Sequence, residues 1–168
     1  MTRPPLTLDA MAHPPALAAD PEALPEVLQF MRLLWGVAHA LDRTSKRMNQ
    51  ELGVTGPQRL VLRVVGLFPG LSAGELAHIL HVHPSTLTGV LHRLIAQKLL
   101  ERATAQSDRR RAELRLTSKG ARINHVTDGT VEAAVGRALE RASPRDRAAA
   151  QRLFTALTAA LAPPGGAT

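Results

Sequence analysis

The stretch GELAHILHVHPSTLTGVLHRL, from Gly74 to Leu94, decides how this chain folds. Ser72 stands three residues before Glu75, the spacing of a capping box. Leu76, Ala77, Ile79 and Leu80 then give a short helix its inward side. The run HVHP makes a tight turn, with Pro84 at an early helical position, where its missing N–H costs nothing. Leu87, Leu91, Leu94 and Ile95 recur at helical spacing beyond it. Two short helices joined by about four residues form a helix-turn-helix.

The other face of the second helix is unusual. Ser85, Thr88, Gly89 and His92 fall at i, i+3, i+4 and i+7, with Thr86 and Arg93 on the flank. A helix facing only water more often carries Glu and Lys there, because Ser, Thr and Gly are poorer helix formers. Small hydroxyls and a glycine bring a helix axis close to another surface. Ser and Thr can bond base edges or phosphates, and Arg93 can reach phosphate or guanine. The bland alternatives are that Ser85 or Thr86 serves the first helical turn and that His92 is idle surface.

Downstream, the period changes. Leu99–Ala103 and Ala112–Thr117 are two short runs; in the second, Ala112, Leu114 and Leu116 alternate with Glu113 and Arg115 as in a half-buried strand. Between them TAQSDRRR is polar and basic, so the pair reads as a β-hairpin with a charged tip. Asp108 among Arg109, Arg110 and Arg111 is expected to pair with a neighbouring guanidinium and fix the loop's shape. The other arginines stay free for phosphate or a narrow minor groove.

Charge placement supports this. The 168-residue chain carries a net +7. From Val82 to Ile123 nine Lys or Arg face three acids, so a quarter of the chain holds nearly all the excess. That concentration is the footprint of a polyanion binder. Hydrophobic residues make up 45% but aromatics only 2%, so the core is built from Leu, Val, Ile and Ala. With no cysteine there are no disulfides, thiolate nucleophiles or cysteine-based sensing in this chain. No apolar run is long enough to span a bilayer, and the N-terminus lacks the continuous apolar stretch of a signal peptide. A cytoplasmic protein is the expectation.

Flanking segments complete the plan. Residues 1–24 read as a disordered arm and 162–168 as a frayed tail. From Pro25 to Leu52 apolar residues keep an alternating four-three spacing that Ser45 alone interrupts. Leu28 and Trp35 widen the stripe, so this helix is expected to pack on something besides its own domain, a second copy being the natural partner. Thr55 and Gln58 are spaced as another capping box, followed by Leu60, Val61, Val64, Val65 and Phe68 on one face. After the hairpin, SKGARINHVTDGTVEAAVGRALERA and SPRDRAAAQRLFTALTAALA read as helices, the last started by Ser143, Pro144 and Asp146. The fold class expected is mainly α with a small β-hairpin wing, a winged helix-turn-helix flanked by dimerisation helices. In that architecture the second helix of the motif lies in the DNA major groove and the hairpin follows the backbone or enters the minor groove.

Residues 25–161 resemble the MarR family of dimeric winged-helix regulators. The motif carrying the resemblance is DRRRAELRLTSKG, Asp108 to Gly120, together with the helix-turn-helix quoted above. The resemblance implies that Asp108 and Arg110 form the family's wing pair, with Arg110 reaching the minor groove. It also implies that residues 53–117 form the DNA-binding lobe and that 25–52 and 118–161 supply dimerisation helices. Two departures stand out: Arg111 replaces a commonly small residue, and Lys98 stands where the family commonly has Gly. The expected function is a sequence-specific double-stranded DNA-binding repressor, homodimeric on a pseudo-palindromic operator and responsive to a small-molecule effector. No cofactor is expected. Catalysis is disfavoured because the acids are spread along helix starts and no phosphate-binding loop exists. Two other readings are a metal-responsive regulator using His78, His81 and His83, and a winged-helix module that binds protein.

Overall fold

The computed structural model describes residues 24–104 and 112–162. Its elements run α1 (Glu26–Leu52), α2 (Gly56–Leu67), α3 (Ala73–Leu80), α4 (Pro84–Ala96), β1 (Leu100–Thr104), β2 (Ala112–Leu116), α5 (Ser118–His125), α6 (Val131–Arg141) and α7 (Pro144–Leu161). β1 and β2 form an antiparallel hairpin that pairs Leu100 with Leu116 and Thr104 with Ala112. The described residues are thus mainly helical with one small hairpin wing, as the sequence pattern predicts.

The chain divides into two units within α1, after Ala40. In the first, α1 exposes Val27, Leu28, Phe30, Met31 and Leu33, and Trp35 is 68% exposed. The second holds the core. Val61, Leu62 and Val65 of α2 pack with Leu76 and Ala77 of α3, Leu87, Leu91 and Leu94 of α4, and Leu99, Leu100 and Leu114 of the hairpin. Each such buried Leu or Val contributes roughly 1.5–3 kcal/mol relative to exposure. Three side chains expected to face inward do not: Leu60 is 52%, Phe68 55% and Ile79 41% exposed. The inward stripe of α2 is Gln58, Val61, Leu62 and Val65, which leaves Leu60 on the far side and Phe68 beyond the helix end. In α3 only Leu76 and Ala77 are fully covered.

Polar contacts place the helices. Ser45, the interruption in the α1 stripe, accepts a 2.8 Å bond from the Gly56 N–H and so satisfies an orphan donor at the start of α2. The segment read as one helix after the wing is split at Val126–Thr130. Gly129 adopts φ +72°, and Thr130 accepts from the Ala133 N–H at 3.3 Å, opening α6. Gly120 lies so close to the hairpin that a Cβ there would overlap the Leu99 carbonyl oxygen. That approach explains the glycine after Lys119.

The most deeply buried charge is Arg59, 1% exposed on α2. Its Nε donates to Glu132 Oε1 at 2.6 Å. Its terminal nitrogens donate to the carbonyls of Ile123, Asn124 and Val126 at the C-terminal end of α5. Arg63 adds a 3.0 Å bond to the Asn124 carbonyl. One guanidinium therefore caps α5 and holds the first turn of α6. Arg59→Ala is expected to lower unfolding stability by about 3–5 kcal/mol, because it strands the carbonyls and Glu132. Arg59→Lys should recover only part of that, since an ammonium lacks the planar fork. Urea unfolding of both variants measures the difference; equal stability to wild type would refute the clamp.

Candidate nucleic-acid interface

The face of α4 singled out by its sequence is fully open. Ser85, Thr86, Thr88, Gly89, His92 and Arg93 are all exposed, while Leu87, Leu91 and Leu94 are buried beneath them. A Cβ on Gly89 would meet nothing within 4 Å, so nothing inside the chain requires glycine there. The helix begins with His83 as its N-cap and Pro84 behind it. His83 Nδ1 accepts from the Ser85 N–H at 3.3 Å and lies 2.8 Å from the Ser85 hydroxyl. The Thr88 hydroxyl donates to the Pro84 carbonyl at 2.8 Å.

The far end of α4 is also fixed. Lys98 takes φ +58°, the left-handed conformation that a glycine would adopt without strain. The Leu99 N–H bonds to the Leu94 carbonyl and the Lys98 N–H to the Ile95 carbonyl, both at 2.9 Å. This is a Schellman turn made without glycine. Thr117 Oγ1 donates to the Lys98 carbonyl at 2.7 Å and Lys119 Nζ to the Gln97 carbonyl at 3.1 Å. Gln97 Nε2 donates to the Gly53 carbonyl at 3.3 Å. Sequence reasoning missed Gln97, Thr117 and Lys119 as anchors; the hydroxyl of Thr117, which also accepts the Gly120 N–H at 3.0 Å, was the available signal.

The wing is rooted in the same core. The Gly70 N–H donates to the Leu114 carbonyl at 3.1 Å, and the Leu114 N–H to the Leu71 carbonyl at 2.8 Å. Arg115 pairs with Glu113 at 2.8 Å, and Arg102 is exposed on the stem. Asp108, Arg109, Arg110 and Arg111 lie outside the described residues, between Thr104 and Ala112. The three imidazoles near the turn do not converge. His78 and His81 have ring centroids 6.3 Å apart, and His83 Nδ1 is engaged by Ser85. Among the described residues no three His, Cys, Asp or Glu side chains are grouped to hold a metal ion. Nor is any helix among them long and apolar enough to cross a membrane.

A short helix-turn-helix, an open polar face on its second helix and an attached hairpin define a winged helix-turn-helix protein. The MarR family model matches residues 52–111. A helix-turn-helix transcriptional regulator of Methylorubrum extorquens, TtmR, is 36% identical over 101 residues, or 60% of this chain and 51% of that protein. This chain thus spans about half the length of that relative. A helix-turn-helix transcriptional repressor of Mycobacterium tuberculosis is 31% identical over 116 residues, covering 68% of this chain and 84% of the repressor. The structure of MepR from S. aureus in complex with DNA shares the fold, with a TM-score of 0.65 at 18% identity, covering 79% of this chain and 98% of that one. The chain belongs to the MarR family.

Lys98→Gly is expected to raise stability by about 1 kcal/mol, the relief of a left-handed side-chain conformation. The urea midpoint reads this directly. A fall in the midpoint would mean that the lysine side chain contributes more than its backbone strain costs.

Proposed function

We propose that this chain is a sequence-specific regulator that binds double-stranded DNA as a homodimer on a pseudo-palindromic operator. The observation that carries the reading is the outer face of α4: six small, polar or basic residues, all exposed, on a helix anchored at both ends. Such a face fits a major groove, where close approach and directional hydrogen bonds are needed. Ser85, Thr86, Thr88, Gly89, His92 and Arg93 are assigned to the groove. Arg109, Arg110 and Arg111 are assigned to phosphates or the minor groove, with Asp108 pairing Arg110 to shape the wing. The DNA-bound state of MepR and the repressor role of the mycobacterial relative support the assignment and favour repression as the output.

Dimerisation follows from apolar surface that a soluble monomer seldom leaves in water. Trp35 and Phe30 of α1, Val135 and Leu139 of α6, and Leu153 and Phe154 of α7 are exposed. We assign residues 25–52 and 118–161 to the dimer and 53–117 to DNA reading. Two α4 helices would then sit about one helical turn apart, roughly 34 Å. A small effector that binds the two spacings of those helices with different affinity would set the response. The protein works in the cytoplasm and performs no catalysis in this reading.

Gel shifts on duplexes selected from a random pool test it. Affinity should fall steeply between low and moderate salt. Arg110→Ala should weaken binding to all sequences and reduce the salt slope by about one. Arg93→Ala should change the preferred sequence instead. A protein that stays monomeric at micromolar concentration and ignores every duplex at low ionic strength would overturn the proposal.

A further inference from the structure

One hydroxyl of the reading face is already committed as a donor, and this sets what it can read. Thr88 spends its only hydrogen on the Pro84 carbonyl, 2.8 Å away in the preceding turn. Its oxygen is left with lone pairs facing outward. A free serine or threonine hydroxyl can rotate to give or to accept. Thr88 cannot do so without breaking a bond inside the helix.

We propose that Thr88 acts as a fixed acceptor and selects a base pair by an exocyclic amino group in the major groove. This rests on the DNA-binding reading given above. Adenine N6 and cytosine N4 are the only amino donors on that edge of the duplex. Each base pair carries one of them, on one strand. A fixed acceptor thus dictates which strand of the pair faces the helix, and so the orientation of the pair. Gly89 follows Thr88 and leaves the approach open, since no side chain stands beside it.

The test uses the full-length protein and the best duplex selected from a random pool. Amino groups on that duplex are deleted one at a time, with purine in place of adenine and 2-pyrimidinone in place of cytosine. Wild type should lose roughly ten-fold in affinity at one such position assigned to Thr88. Thr88→Val should bind the parent duplex with a similar loss and show no further loss on that deleted position. Thr88→Ser, which keeps the back-bond, should retain the dependence. Unchanged thermal unfolding of both variants shows that the helix itself is intact. The purine and pyrimidinone arms separate adenine from cytosine as the base read. Coupling of Thr88 to a purine N7 instead, probed with 7-deazaguanine and 7-deazaadenine, would overturn the proposal. So would coupling to no position while wild type still selects a site. Failure of wild type to select any site would overturn the DNA-binding reading itself.

Discussion

The structure turns on one buried cation. Arg59 sits on the apolar side of α2, and all three of its nitrogens donate to α5, to the residue that follows it or to α6. A buried guanidinium is tolerable only when its charge and its donors are matched, because the unpaired ion costs several kcal/mol. Here a carboxylate and three carbonyls match it. The carbonyls are those an α-helix leaves without partners at its C-terminus. A single side chain thus solves two problems, ending α5 and fixing where α6 begins. Any movement of α6 relative to α2 must first break a charge-assisted bond whose guanidinium is buried and whose carboxylate is only partly exposed. The reading unit and the helix beyond it are coupled by this contact, and by the Ser45 bond that sets α1 against the start of α2.

Rigidity at α4 has the same origin. The helix is tied by His83 at one end, and by Gln97, Thr117 and Lys119 at the other. Its buried leucines fix its rotation, and the end contacts fix its position along the axis. A face presented this way needs little ordering when it meets a partner, and less ordering means more of the contact energy remains as affinity. The Thr88 hydroxyl, bonded back to the Pro84 carbonyl, belongs to that arrangement.

Much of this was legible in the sequence because it is local. Capping spacings at Thr55–Gln58 and Ser72–Glu75, Pro84, and the leucine period are all read within a few residues, and the structure forms each of them. The hairpin was visible in the change from period 3.6 to period 2. Arg59 was not, because its partners are 64 to 73 residues away. A signal was present: it shares the apolar side of α2 with Leu62 and Gly66, an improper place for an unpaired arginine. Leu60, Phe68 and Ile79 were misplaced for the opposite reason. An apolar residue on a surface looks the same in sequence as one in a core, and only the packed partner tells them apart. The break before α6 was overlooked although Gly129 and Thr130 are ordinary stop and start residues, because helical spacing continued on both sides. At the site, the open face of α4 was legible from residue type alone, whereas the anchors behind it were not.

Two residues bracket α4 in a conformation that their side chains disfavour. His81, φ +51°, closes α3, and Lys98 closes α4. At both places the same pair of turn bonds is made: the Val82 N–H reaches the Ala77 carbonyl at 3.1 Å, just as Leu99 reaches Leu94. Glycine would form either turn without the roughly 1–2 kcal/mol that a left-handed side chain costs. Both side chains are exposed, so burial does not offset that cost. The offset comes from the leucines that follow each turn into the core, Leu87 after the first and Leu99 and Leu100 after the second. A sequence that keeps an imidazole and an ammonium at these two corners keeps polar side chains on the surface before and after α4, where glycine would give the better turn and no side chain at all.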